Sequence, residues 1–156
     1  AFGSGRALDD NAHVMMRWQG GAKGMLWCSQ VAPGNENALR LRLYGDKGGL
    51  DWSQEAPNKL WFTPLGEPKR LLTRAGAGAT QGNLDASRIP GGHPEGYLEA
   101  FANLYSDAAR AIHAHRAGTT LPDDLLFPTI DDGLDGMRFI DACVRSSASD
   151  SAWVTP

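Results

Sequence analysis

The 156-residue chain carries 15 Lys or Arg and 18 Asp or Glu, which gives a formal net charge of −3. Its hydrophobic content of 42% and charged content of 21% are those of an ordinary globular protein, and its length predicts a single domain over residues 1–156. Because the chain has neither an excess of basic residues nor an apolar run of about 18 residues, we expect no nucleic-acid partner and no membrane partner.

The start of the chain and its cysteines bear on origin and location. The sequence opens AFGSGRALDD, without an initiator Met or an apolar signal segment, and we therefore expect it to be a piece of a longer protein. Cys28 and Cys143 lie far apart and form no C-x-x-C motif. This pattern favours two buried thiols over a disulfide and so predicts a cytoplasmic, reducing location.

Alternating apolar and polar residues in the first 74 positions predict a meander of about six strands. NAHVMMRW and AKGMLWCSQVA flank Gly20 and Gly21 and predict a β-hairpin. The segment ALRLRLYG, with leucines at every second position, is the clearest strand signal. Further strands are predicted at LDWSQ, KLWFTP and PKRLLTR.

The second half of the chain has helical periodicity. Residues 75–87 are rich in Gly and Ala and predict a mobile loop. Apolar residues at spacings of three and four predict a helix over about 94–116 that ends near Gly118. A second helix is predicted to begin at Thr129, its N-cap, with an apolar stripe made by Leu134, Met137, Ile140 and Val144. The closing SAWVTP predicts either a last short strand or a Trp153 packed onto the core.

Strands followed by helices predict an α+β fold, with helices packed on one face of an open-faced, largely antiparallel β-sheet. Met and Trp lie on both sides of the first two strands, so the other face is too apolar to remain in water. We expect a homo-oligomer formed through this sheet face, with Met25 and Trp27 at the interface.

Several short motifs do not make a site. Gly3-x-Gly5 and Gly76-x-Gly78 lack the spacing and the following helix of a phosphate-binding loop, so no cofactor-binding or metal residue is assigned. Asp9 and His13 have the spacing D-x-x-x-H, but His13 falls in an alternating strand pattern. No catalytic residue is therefore predicted.

Three polar residues are candidates for substrate binding. His93 lies in Gly91-Gly92-His93-Pro94, a loop that enters a helix, where it either contacts a ligand or makes a structural contact at the helix start. Gln30 and Asn35 belong to a polar strand end whose amides either orient a sugar or polyol or form an ordinary turn.

The order of four blocks carries a family resemblance. The blocks are LRLYGDKGGLDW, GHPEGYLEAFANLYSDAARAI, FPTIDDGLDGMRFIDACVRSS and the closing WV. In this order, over about Asp9 to Val154, they resemble the C-terminal domain of the Gfo/Idh/MocA oxidoreductases, relatives of glucose-fructose oxidoreductase and inositol dehydrogenase. The resemblance implies a domain of the glucose-fructose oxidoreductase and glyceraldehyde-3-phosphate dehydrogenase-like type, which forms the substrate-side wall and mediates homo-oligomers.

The resemblance also implies a parent that uses NAD or NADP to oxidise a sugar, polyol or cyclitol, with an N-terminal Rossmann domain that this chain lacks. The E-K-P motif of the family is absent, and its D-x-x-x-H normally lies on a helix upstream of the first strand, so no catalytic role passes to Asp9 or His13. We expect this fragment to bind no cofactor and to be inactive alone. The alternative is an independent dimerising or sugar-binding α+β module without a catalytic parent.

Overall fold

The computed structural model describes residue 5 and residues 7–156. Six strands are formed: β1 Asn11–Arg17, β2 Lys23–Ser29, β3 Arg40–Gly45, β4 Gly48–Ser53, β5 Lys59–Pro64 and β6 Arg70–Thr73. Three helices follow: α1 Gln81–Ala86, α2 Tyr97–Ala117 and α3 Ile130–Ala148. The α+β prediction and the number of strands are confirmed. The Gly3-x-Gly5 motif begins outside the described residues.

The strands form two antiparallel sheets. Strands β1 and β2 make a two-stranded hairpin, and β3 to β6 make a four-stranded sheet in chain order. The predicted hairpin is confirmed, with its turn at Gly20 and Gly21, where Gly21 takes a φ of 87°. Residues 30–39 connect β2 to β3 and contain no strand, so the six-strand meander is divided into two sheets at this segment.

One face of the hairpin is exposed and has an apolar centre between two polar pairs, Asn11 with Ser29 and Arg17 with Lys23. The register pairs Met15 with Met25 and His13 with Trp27, and these four side chains share that face. The rings of His13 and Trp27 are nearly parallel with centroids 6.1 Å apart, and Trp27 Nε1 donates to Asn11 Oδ1 at 2.8 Å. Met25 is 69% exposed and Trp27 55% exposed, so both predicted interface residues lie on the surface of the hairpin.

The four-stranded sheet has an apolar face and a charged face. The apolar face carries Leu41, Leu43, Leu50, Trp52, Leu60, Phe62 and Leu72. On the charged face, Asp51 lies 3.9 Å from Arg42 and 3.7 Å from Lys69, and Lys69 lies over the Trp61 ring. Exposed ion pairs of this kind contribute at most about 1 kcal/mol each.

The predicted mobile loop over residues 75–87 is wrong, because it contains helix α1. Thr80 caps the helix by accepting a hydrogen bond from the Asn83 N–H. Asn83 in turn accepts from the Ala75 N–H through its side chain at 2.8 Å. Local side-chain to backbone bonds of this kind order a segment that has little apolar content.

Both long helices begin and end close to the predicted positions. Helix α2 ends at Gly118, which takes a left-handed φ of 65° and closes the last turn. Helix α3 begins at the predicted N-cap Thr129, whose side chain accepts from the Asp132 N–H while Asp132 accepts from the Thr129 N–H. This reciprocal capping box fixes the first turn of α3.

The predicted apolar stripe of α3 lies on the exposed side of the helix. The stripe of Leu134, Met137, Ile140 and Val144 remains exposed. The opposite side of the helix is the more covered one and includes Phe139, Ala142 and Cys143. Small residues permit close approach, and Ala142 is the one buried apolar residue among those described.

The chain divides into two compact units by its internal contacts. One unit comprises residues 1–36 and 128–156, and the other comprises residues 37–127. The single domain over residues 1–156 stays a prediction. Among the described helices, none has the length and apolar character needed to cross a membrane.

Two local expectations are corrected. Both cysteines are free, as predicted, but Cys28 is exposed and Cys143 is only half-buried. The C-terminal residues form no strand, and Trp153 is 56% exposed. Its ring lies beneath the guanidinium of Arg17, the last residue of β1, at 3.7 Å.

Candidate functional site

The candidate site is the loop of residues 88–96, which leads into α2 and carries His93. Two glycines precede His93, and each meets a different structural requirement. A Cβ on Gly91 would lie 2.8 Å from the Ala75 carbonyl oxygen, and Gly92 takes a φ of +86° that side chains disfavour. The pair therefore allows the loop to approach Ala75 and then turn toward His93.

The backbone of His93 is held on both sides while its side chain is exposed. Its N–H donates to the Pro90 carbonyl at 3.3 Å, and its carbonyl accepts from Arg74 at 2.9 Å. Among the described residues, none forms a hydrogen bond with the imidazole ring. The ring is thus directed from a fixed backbone and keeps both nitrogens for a ligand.

Arg74 is the centre of the loop's hydrogen bonding. It follows β6 directly, and its side chain is 12% exposed. Its guanidinium donates to the carbonyls of Ile89 at 2.8 Å and Pro90 at 3.3 Å, in addition to that of His93, and its Nε donates to Asn58 Oδ1 at 2.7 Å. One side chain thus joins β6, the residue before β5 and the loop.

Glu95 is the anionic partner of this arrangement. Its Oε2 lies 3.1 Å from Arg74 Nη1 and accepts from the N–H groups of Arg88 and Ile89 at 3.0 and 2.8 Å. The Glu95 side chain is only 7% exposed. Separating a buried ion pair is strongly unfavourable, because each partner would then be an uncompensated charge away from water. The pair and its additional hydrogen bonds therefore hold one geometry.

Arg88 attaches the other end of the loop to α2. Its side chain donates to Asn103 Oδ1 and Ser106 Oγ, both at 2.6 Å, and to the Ala102 carbonyl at 2.9 Å. Asn103 donates back to the Ala86 carbonyl. The loop is therefore fixed at residue 88 by Arg88 and at residues 89–93 by Arg74.

An open cleft of about 520 Å³ lies beside this loop. Its polar lining comes from Glu55, Asn58, Lys59, Glu95 and Glu99. The Asn58 amide is already used, since its nitrogen donates to the Glu95 carbonyl at 2.7 Å. The Glu95 carboxylate is likewise engaged, so the remaining polar groups are the carboxylates of Glu55 and Glu99 and the ammonium of Lys59, a set suited to hydroxyl ligands.

Glu99 is held ionised at the start of α2. The Gly96 N–H donates to its Oε2 at 2.9 Å, and this backbone bond is the main cause of a lowered pKa for Glu99. A carboxylate that accepts a backbone N–H at a helix N-terminus is favoured in its charged form.

Gln30 and Asn35, the other two predicted substrate residues, lie in the unit without His93. The Gln30 N–H donates to the Asp10 carbonyl at 2.7 Å and extends the hairpin. Asn35 uses both its backbone N–H and its side-chain amide on the Ala32 carbonyl. Asn35 therefore forms a local turn, the second of the two interpretations given above. The Gln30 side chain is exposed.

The described residues offer no cradle for a dinucleotide. Gly76 and Gly78 precede a helix of only six residues, and a Cβ on Gly76 would meet Thr73 at 2.3 Å, so its close approach is to Thr73. Neither sheet contains the parallel strands of a dinucleotide-binding βαβ unit. No group of three His, Cys, Asp or Glu among the described residues could hold a metal ion. His13, on a strand, stacks on Trp27.

Comparison with known proteins gives a consistent set of relatives. Residues 2–155 match the model of the oxidoreductase family, C-terminal alpha/beta domain, of the Gfo/Idh/MocA type. The chain is 37% identical over 153 residues to the oxidoreductase YfiI of Bacillus subtilis (strain 168), covering 97% of this chain and 39% of that protein.

Two solved structures are similar throughout. An oxidoreductase from Sinorhizobium meliloti has a TM-score of 0.94 and 62% identity, and the match covers 99% of this chain and 44% of that one. An inositol dehydrogenase homolog from Azotobacter vinelandii, crystallised with NADH and myo-inositol, has a TM-score of 0.91 and 37% identity, with 96% and 40% covered.

The chain spans about two fifths of the length of these relatives. Since the family model matches nearly every residue and the fold agrees with that of the solved relatives, the chain belongs to the Gfo/Idh/MocA oxidoreductases, as the C-terminal α/β domain of that family.

Proposed function

We propose that this chain is the substrate-side and oligomerisation domain of an NAD-dependent dehydrogenase that oxidises a cyclitol or a related polyol. The observation that carries the proposal is the similarity over 96% of the chain to the Azotobacter vinelandii protein, whose crystals hold NADH and myo-inositol. The YfiI and Sinorhizobium meliloti relatives, both described as oxidoreductases, agree with this reaction class.

We assign substrate binding to this chain and cofactor binding to another part of the protein, on the basis of the described residues. They lack a dinucleotide cradle but present a fixed loop with an exposed imidazole at His93. In the proposed enzyme, the cofactor accepts hydride in a part of the protein beyond this chain. His93 contributes hydrogen bonds to the hydroxyl groups of the substrate, and the assignment of Gln30 and Asn35 to substrate stays a prediction. We place the enzyme in the cytoplasm, in agreement with two unpaired cysteines.

The oligomer forms through the apolar hairpin face that includes Met25 and Trp27. An exposed apolar surface of this kind is typical of an interface. The neighbouring Met15 is 67% exposed on the same face.

The test compares the full-length gene product with the 156-residue chain. With NAD as acceptor and a panel of myo-inositol, glucose and simple polyols, we expect NADH formation only with the full-length enzyme and only with polyhydroxylated substrates. Calorimetric titration of the 156-residue chain with NAD and NADP should show no binding. Micromolar cofactor binding to this chain, or full-length protein inert toward every polyol, would contradict the proposal.

The same measurements separate the alternative of an independent polyol-binding module. Such a module would bind a polyol with the 156-residue chain alone and would need no cofactor. A His93→Ala variant of the full-length enzyme should raise the KM for the polyol and leave the KM for NAD unchanged.

A further inference from the structure

The His93 loop is held by a side chain that is largely buried. Arg74 is 12% exposed and donates to three carbonyls of the loop, those of Ile89, Pro90 and His93. Guanidinium offers five N–H donors in a rigid plane, whereas an ammonium is a point charge with three. The geometry therefore depends on arginine specifically, since a lysine cannot make both the Nε bond to Asn58 and the Nη bonds to the loop carbonyls.

The arrangement has a direct consequence for ligand binding. A loop that orders only when a ligand binds loses conformational freedom at that moment, which weakens the affinity. At His93 the backbone N–H and carbonyl are both bonded before any ligand arrives. The imidazole then loses only its side-chain freedom upon binding.

Glu95 keeps Arg74 in this position. Its carboxylate binds the guanidinium and two loop N–H groups through a single oxygen. Arg74 thus donates to the carbonyl groups of the loop, and Glu95 accepts from its N–H groups.

We propose that Arg74 is a positioning residue for substrate binding, which acts by holding the His93 loop in its binding geometry. The inference rests on the proposed function, because it requires His93 to contact the polyol. A purely structural role is the alternative, in which Arg74 stabilises the fold and has no separate effect on substrate.

The experiment uses the full-length enzyme and the variants Arg74→Lys, His93→Ala and the double variant. We expect Arg74→Lys to raise the KM for the polyol about tenfold, as loss of one or two hydrogen bonds would, with the KM for NAD unchanged. In the His93→Ala background, Arg74→Lys should change the polyol KM much less than tenfold. Hydrogen exchange should show faster exchange at residues 89–93 in Arg74→Lys.

Arg110→Lys is the matched control. Arg110 lies in the same unit and also bonds two partners, Asp107 and Asp124, but makes no contact with the loop. It should leave both KM values unchanged. If Arg74→Lys lowers only the melting temperature, or raises the KM for polyol and NAD alike, or adds fully to His93→Ala, the positioning role is overturned.

Failure of the proposed function gives a different result. A full-length enzyme without polyol oxidation, or a His93→Ala variant with an unchanged polyol KM, would contradict the substrate assignment itself and this inference with it. An active enzyme in which His93→Ala raises the polyol KM and Arg74→Lys does not would overturn this inference alone.

Discussion

The guanidinium of Arg17 lies 3.7 Å from the centre of the Trp153 ring. Arg17 ends strand β1, and Trp153 lies three residues before the end of the printed sequence. The contact connects two segments that are more than 130 positions apart in sequence but belong to one compact unit.

This contact predicts a measurable coupling between the two side chains. A double-mutant cycle with Arg17→Met and Trp153→Leu should give a coupling of about 0.5–1 kcal/mol in the free energy of unfolding, the range for an exposed cation–π pair. Urea denaturation of the four proteins measures it. Coupling near zero would show that the two groups contribute independently.

A second prediction concerns the glycine before His93. Gly92 takes a φ of +86° with open space around its Cβ position, so Gly92→Ala should cost about 1 kcal/mol through backbone strain alone. Gly136→Ala is the control, because Gly136 lies within helix α3, also with open space. It should stabilise the chain by about 1 kcal/mol. Equal effects of both variants in urea denaturation would refute the strain argument.

A third prediction concerns pH and the capping box of α3. Hydrogen bonds from the Thr129 backbone and side chain lower the pKa of Asp132 below its ordinary value of 3.8. Because the folded pKa is the lower one, the stabilisation is present above that value and is lost as the pH falls through the folded pKa.

Asp132→Asn should therefore lower stability at neutral pH and flatten the decline in unfolding free energy as the pH falls below the ordinary Asp value of 3.8. Denaturation at a series of pH values measures this decline. Asp131→Asn removes a charge from the same first turn but none of the bonds to Thr129, and should keep the slope of the parent chain. An unchanged slope in Asp132→Asn would contradict the capping argument.

A fourth prediction tests the proposed interface on the hairpin. Met25→Arg places an unpaired charge on the apolar face and should convert an oligomer into monomers. Light scattering after size exclusion measures the mass of the full-length protein. Leu65→Arg, at a 76% exposed turn residue in the other unit, should leave the mass unchanged. If Met25→Arg remains oligomeric, the interface lies on another surface.

A fifth prediction follows from the two sides of α3. Met137 is 62% exposed and Ala142 is 5% exposed. Met137→Gln should change the unfolding free energy by no more than about 0.5 kcal/mol, whereas Ala142→Leu should destabilise the chain by about 1–3 kcal/mol through overpacking. Chemical denaturation of both variants decides this, and a large loss in Met137→Gln would show that the apolar stripe of α3 is a packed side of the helix.

Local patterns predicted the elements that depend on neighbouring residues. Strict alternation at Leu41 and Leu43 identified β3, the hydroxyl of Thr129 identified the start of α3, and Gly118 identified the end of α2. Each signal depends on residues within about four positions, where backbone geometry alone brings the groups together.

Helix α1 could not be predicted in this way. Its sequence lacks an apolar stripe, and its order comes from Thr80 and from the bond between Asn83 and Ala75. The composition of residues 75–87 does not distinguish a segment ordered by such bonds from an ordinary polar loop. The apolar stripe of α3 likewise did not show which side of the helix packs within the chain, because a stripe of large apolar residues identifies an apolar surface and does not identify what covers it.

The sequence by itself determined the α+β class, the hairpin, the caps and the family, because these follow from short-range periodicity and from ordered blocks of residues. Only the tertiary structure decided that Arg74 and Glu95, 21 positions apart, form an ion pair that holds the His93 loop. The Arg74 Nη1 and Glu95 Oε2 atoms of this pair are 3.1 Å apart. A buried ion pair forms where the fold brings opposite charges together away from water, and no spacing along the chain encodes that meeting.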